Sequence, residues 1–184
     1  MDLLLFEIGN LRINDNYLLK EINKNNKDNI YVFIWDSIWE EKSNNFINMG
    51  HFKKKFLKES IIDLKNNLKK INLHLNIFYG NKLNILNDII KNYNIKNIYK
   101  NNPVSNYDLS LDKSLSNINL IYPYLKNNYL SNNTFNTISN NKSVILENNV
   151  NINDIDIPNC SNNILGGETS ATYYLKNFIK KKNL

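Results

Sequence analysis

Along the first hundred residues the apolar positions alternate between two periods. LLLFEI (residues 3–8) and IYVFIW (30–35) are unbroken runs of apolar, β-branched and aromatic residues, the pattern of strands covered on both faces. Between them, Asp15 or Asn16 can cap a helix carrying Leu18, Leu19 and Ile22. HFKKKFLKESIIDLKNNLKKI follows. Its Phe52, Phe56, Leu57, Ile61, Leu64, Leu68 and Ile71 recur at steps of three and four, which predicts a long amphipathic helix. LHLNIFY (73–79) predicts a third strand ended by Gly80, and NKLNILNDIIKNYN another helix through Leu83, Leu86, Ile89, Ile90 and Tyr93. NIYK and INLIY (118–122) supply a fourth and a fifth strand. This order predicts an α/β fold, a parallel sheet with helices on both faces, with any ligand beyond the carboxyl ends of the strands.

From about 127 to 163 the periodicity fails. The stretch is Asn-rich, reads as a long connector, and only SVILE hints at local order. Beyond it, residues 168–181 return to helical spacing behind Gly166 and Gly167. The expected layout is an α/β domain over 1–126, a connector over 127–165 and a terminal helix over 166–184.

With 184 residues, 42% of them hydrophobic, the chain can bury one substantial core. No apolar run approaches the roughly 20 residues that span a bilayer. The opening MDLLLFEIGN carries Asp2 and Glu7 and reads as a strand, not a signal peptide. One cysteine, Cys160, allows no internal disulfide and fits a reducing compartment, so the expected location is the cytoplasm. The net charge of +6 would suit nucleic acid, but the basic residues are lysines except Arg12, and arginine carries most bidentate base and phosphate recognition. The lysines read as solvated helix faces, and DNA is expected as an indirect partner only.

Candidate chemistry is sparse. The five glycines form neither a dinucleotide fingerprint nor a Walker loop. His51 and His74 stand alone, Cys160 is remote from both, and no zinc site is expected. Asp15, Glu59, Asp63 and Asp88 fall on helix caps or polar faces, and no nucleophile–base pair emerges, so no catalytic residue is nominated. Trp35 and Trp39 flank a strand end where rings can stack on a ligand, although core packing is the simpler use.

Three stretches carry a resemblance to a family. NLRINDNYLL, with Leu11, Arg12, Asp15, Asn16 and Leu19, resembles the opening loop of photolyases and cryptochromes, W-F-R-x-D-L-R-x-x-D-N-x-x-L. GHFKKKFLKESIIDLKNNLKKINLHLNIFYG is similar to the family's long-helix phrase, with Gly50, Phe56, Leu57, Glu59, Ser60, Asp63, Leu64, Asn67, Leu68, Leu75 and Gly80 in register. GGETSATYYLKNF resembles the G-G-E phrase behind the interdomain connector, through Gly166, Gly167, Glu168, Ala171, Leu175 and Phe178. The helix spacing and the GGE phrase are most similar to DASH-type cryptochromes.

The resemblance implies a Rossmann-like five-stranded α/β domain able to hold an antenna chromophore, commonly a reduced folate such as methenyltetrahydrofolate. It further implies a connector leading to a helical domain that binds FAD, carries the electron relay and receives the pyrimidine dimer. As the sequence stops at Leu184, that helical domain is expected from a separate chain, as in a split DNA photolyase or blue-light receptor. The lobe is expected to be inactive alone. The rival expectations are a stand-alone folate- or flavin-binding module and a degenerate remnant. Two departures bear on the ligand. The W-F-R arginine is missing around Phe6, Glu7 and Ile8, and the glutamate that would hold a pterin falls on Pro103, which has no side-chain acceptor. TFNTISNNKS likewise lacks the aromatic and arginine features of the family connector. The remaining cofactor-binding candidates are Trp35, Asn101 and Asn102, near the strand ends.

Overall fold

The computed structural model describes residues 1–25, 27–43, 46–122, 143–157 and 165–182. Five parallel strands form the sheet: β1 (Asp2–Phe6), β2 (Asn29–Asp36), β5 (Leu75–Gly80), β6 (Asn97–Tyr99) and β7 (Asn119–Ile121), in the spatial order β5-β2-β1-β6-β7. A small antiparallel pair, β3 (Lys42–Ser43) and β4 (Phe46–Ile47), follows β2 and was not legible in the sequence. The helices are α1 (Tyr17–Ile22), α2 (His51–Lys70), α3 (Lys82–Tyr93), α4 (Asn106–Ser114) and α5 (Glu168–Lys182).

Alternation along the strands divides the core. Leu4, Phe6, Tyr31, Phe33, Trp35 and Ile77 face one side, where α1 and α2 cover them with Leu19, Ile22, Leu57, Ile61, Leu64 and Leu68. Leu3, Leu5, Ile30, Val32, Ile34 and Ile98 face the other, under Leu86 and Ile89 of α3 and Leu111 of α4. Both faces are thus buried, which is why β1 and β2 read as continuous apolar runs. Truncating a residue such as Ile61 to Ala would cost roughly 2–5 kcal/mol.

Several boundaries differ from those expected. The first strand stops at Phe6, and Glu7 begins a 3-10 turn over Ile8–Asn10. Asn16, not Asp15, caps α1, accepting from the Leu19 N–H at 3.1 Å; Asp15 takes a left-handed turn conformation. Phe52 and Phe56 fall off the buried stripe of α2 and are exposed. The third strand starts at Leu75 and includes Gly80. α4 has no counterpart among the elements expected from the sequence and begins at a capping box between Ser105 and Asp108.

Part of the Asn-rich stretch packs onto the fold. Residues 143–157 run along the free edge of β5, held by a few backbone bonds (Val144 N–H to the Asn29 carbonyl, Val150 N–H to the Ile77 carbonyl) and by polar side chains where a sixth strand would otherwise pair. Buried Asn76 donates to the Tyr31 and Val144 carbonyls and accepts from the Leu146 N–H and the Asn149 amide, while Asn149 accepts from the Ile77 N–H. Lys58 closes the strap from α2 by donating to the Asn153 and Ile155 carbonyls. This covers an edge otherwise open to strand addition. TFNTISNNKS down to its lysine, and Cys160, lie outside the described residues.

Candidate functional site

The strand order reverses direction between β1 and β6, the place where open α/β sheets form a crevice. A cleft of about 440 Å³ opens there, lined by Phe33, Ile34 and Trp39 on its apolar side. Its polar lining holds three carboxylates, Glu7, Asp36 and Asp108, against two ammonium groups, Lys53 and Lys82.

The carboxylates are engaged by the protein itself. Glu7, where β1 ends, reaches Lys82 at the start of α3 (2.7 Å) and accepts the Asn101 N–H behind β6 (3.2 Å), tying three loops together. Asp36, at the end of β2, accepts from the Tyr107 hydroxyl at 2.5 Å. Burial, reinforced by that bond, pushes the Tyr107 phenol well above its ordinary range, so it stays a donor. Burial alone would raise the Asp108 carboxyl. The Ser105 hydroxyl and N–H that it accepts outweigh this and hold it below the usual aspartate range.

Behind the crevice wall lies a buried ion pair. Lys100, fully buried, sits 3.0 Å from Asp112 Oδ1 and donates to Oδ2 at 3.2 Å and to the Asn101 carbonyl. The Oδ1 contact lacks hydrogen-bond geometry and is an electrostatic one. The Tyr122 hydroxyl also donates to Asp112, and burial followed by that bond pushes its phenol up to about 12. The pair pins the backbone that places Asn101 and Asn102.

A second cleft, of about 550 Å³ and largely apolar, separates α2, the 8–12 loop and α5; it shares Ile8, Gly9 and Lys53 with the first. Carboxylates join its walls. Glu59 accepts the Gly166 N–H (2.8 Å), Asp63 the Thr169 N–H (3.0 Å), and Glu168 the N–H groups of Ile13 and Asn14 (3.0 Å each). The glycines permit the approach. A Cβ at Gly166 would meet the Phe56 carbonyl oxygen at 2.3 Å, and Gly167, at φ +102°, lies against Asp63.

Among the described residues no cluster of His, Cys, Asp and Glu could hold a metal ion, and no helix is long and apolar enough to cross a membrane. A family model for DNA photolyase matches residues 3–118. The chain belongs to the DNA photolyase family. No curated protein sequence matches it. Its fold is similar to a cryptochrome from Synechocystis (TM-score 0.76, 16% identity, all of this chain and 47% of that one). It is also similar to an archaeal photolyase from Sulfolobus tokodaii whose structure holds two FAD molecules (0.69, 19%, 95% and 46%). A third likeness is to a bacterial class III photolyase from Agrobacterium tumefaciens (0.71, 17%, 97% and 44%). The chain therefore spans less than half the length of each of these solved relatives.

Within this photolyase-family lobe, the candidate residues separate. Asn101 and Asn102 line the crevice. Trp35 does not: its ring is fully buried under α2, edge-on to Trp39 at 5.8 Å, and Trp39 is the tryptophan that reaches the crevice. Trp35 shares the sheet face of Phe33, but its ring is covered by the α2-side core and by Trp39, which stands between it and the opening. Pro103 belongs to the same loop as Asn101 but is not part of the lining. Glu7, Lys82, Tyr107 and Asp108 escaped the sequence reading. The β-to-turn break after Phe6 and the S-x-x-D phrase at Ser105 were the available signals.

Proposed function

We propose that this chain supplies the α/β lobe of a photolyase- or cryptochrome-type flavoprotein, and that it works with a helical FAD-binding region seated against α5, continuous with the chain or supplied in trans. Light-driven repair of pyrimidine dimers, or blue-light reception, would then belong to the assembled pair. DNA would be met chiefly through the helical region. The supporting observation is the state of α5. Its entrance and first turn are clamped by three carboxylates, yet Leu175, Phe178 and Ile179, neighbours at helical spacing, are 58%, 56% and 40% exposed. A helix fixed at its entrance with an uncovered apolar stripe calls for an apolar helical partner.

The test is reconstitution. The chain is mixed with a purified helical flavin-binding region from the photolyase family, and the pair is followed by sedimentation and by light-dependent dimer repair. A complex that Leu175→Asp and Phe178→Asp abolish is expected. Absence of both complex and repair sinks the reading.

The crevice supports a second reading, a small-molecule site for an antenna-type folate or flavin, because it lies at the switch point and its volume suits a ring system. Pro103 in place of a glutamate argues against a folate held in the family's manner. An absorbance scan of the purified protein, followed by folate and flavin titrations, tests it; a colourless protein that binds neither would refute it.

A further inference from the structure

Several of the donors in the crevice that could receive a phosphate are already taken by side chains of this chain, two of them by the carboxylate of Glu7. Phosphates in such folds sit on helix N-termini and loop N–H groups at the switch point. Here α4 opens into the crevice, and its capping box uses the donors: Asp108 accepts the Ser105 N–H and hydroxyl, and the Asp108 N–H goes to the Ser105 hydroxyl. The Asn101 N–H is given to Glu7. The ammonium of Lys82, at the first position of α3, is given to Glu7 as well. Among the described lining residues, Lys53, on the rim shared with the second cleft, is the cation with no carboxylate opposite it.

We infer that the crevice selects an unphosphorylated nitrogen heterocycle, and that Glu7 imposes the selection. The inference rests on the reading of the crevice as a small-molecule site. Phe33 and Trp39 offer aromatic walls and Ile34 an aliphatic one for a ring, and Asp36 and Glu7 have further lone pairs for ring N–H and amino donors. A phosphate entering the same space would face carboxylates whose compensating donors are spent. Glu7 is decisive because it consumes two of those donors at once, one cationic and one backbone. It touches the loops after β1 and β6 and the start of α3, so its removal frees a cation and an N–H in the same spot.

The experiment compares ligand pairs that differ by a phosphate alone: riboflavin with FMN, and adenosine with AMP, by equilibrium dialysis against the full chain. At least one unphosphorylated member is expected to bind roughly tenfold or more tightly than its phosphate, a difference of about 1.4 kcal/mol that a largely solvent-screened unit charge can supply. Glu7→Gln releases Lys82 and should shrink that ratio toward one. Lys82→Met leaves Glu7 without its cation and should widen it. A phosphate that binds the unaltered protein as well as its parent overturns the inference. So do variants that move both members of a pair equally, which is how a merely structural residue would behave. Failure of all four ligands to bind removes the crevice reading along with it, and leaves the docking of α5 untouched.

Discussion

The joint at α5 and the crevice at the strand ends use one device, a carboxylate accepting backbone N–H groups, to opposite effect. At the joint, Glu59, Asp63 and Glu168 each take donors from segments more than a hundred residues away. Those bonds fix one part of the chain against another. In the crevice, Glu7 and Asp108 take donors that would otherwise face an incoming molecule. The same chemistry builds a connection in one place and restricts a site in the other. What differs is whether the donor had any alternative partner.

The largest test of this contrast is Lys100. Replacing it with Met leaves Asp112 buried without its cation, which costs about 3–5 kcal/mol in urea unfolding. The accompanying Asp112→Asn change should recover much of that loss, because the buried charge goes with its partner. The contrast adds a further expectation. Proteolytic release of α5 from the Lys100→Met protein should lag behind loosening of the 101–105 loop. Simultaneous release would mean the two regions are one cooperative unit.

At the joint the effect is smaller and of the opposite pattern. Gly167→Ala places a side chain at φ +102° and against Asp63, and should cost about 1–3 kcal/mol. The loss should appear as early cleavage of α5, with the 101–105 loop still protected. Glu168→Gln keeps one of the two acceptor oxygens and should retain more of the docking than Glu168→Ala. Equal effects would show that the two N–H bonds contribute little. Smaller again is Ser105→Ala, which removes the cap of α4 on the crevice side and should cost about 1 kcal/mol by thermal unfolding.

The two regions also differ in how far the sequence revealed them. The sheet was legible because β1 and β2 are buried on both faces and must be apolar throughout. The joint was legible only through the family resemblance: the glycines and Glu59, Asp63 and Glu168 lie in matched phrases, but nothing in periodicity says that they meet. The crevice was barely legible. Glu7 sat inside what reads as a strand, and α4 presents Leu111 as its one buried apolar residue, too weak a stripe to announce a helix. The strap at 143–157 was missed for a related reason. Much of its attachment is by hydrogen bonds of Asn76 on β5 and of Ser143 and Asn149 on the strap, which leave no hydrophobic period, and its buried Leu146, Ile152 and Ile155 are too few to make one.

That strap carries the smallest predicted effect, and the one that separates it from both regions. His74, where β5 begins, donates its N–H to Ser143, and its imidazole is held below the usual histidine range, first by burial and then by the Lys65 charge. At neutral pH and above, the side chain is uncharged in folded and unfolded protein alike, so it contributes nothing to the difference. As pH falls through the unfolded value near 6.5, the unfolded chain binds a proton that the folded one still declines. Stability therefore falls with acidification over that interval and levels out once the folded imidazole also titrates. His74→Gln should remove this component, and Lys65→Met should reduce it by letting the folded histidine protonate earlier. The measurement is urea unfolding between about pH 7.5 and 5. Because neither the joint nor the crevice contains a histidine among its lining residues, protection of α5 and of the 101–105 loop should not follow the slope. If the slope survives in His74→Gln, the titrating group lies elsewhere, and the strap is not the acid-sensitive part of this lobe.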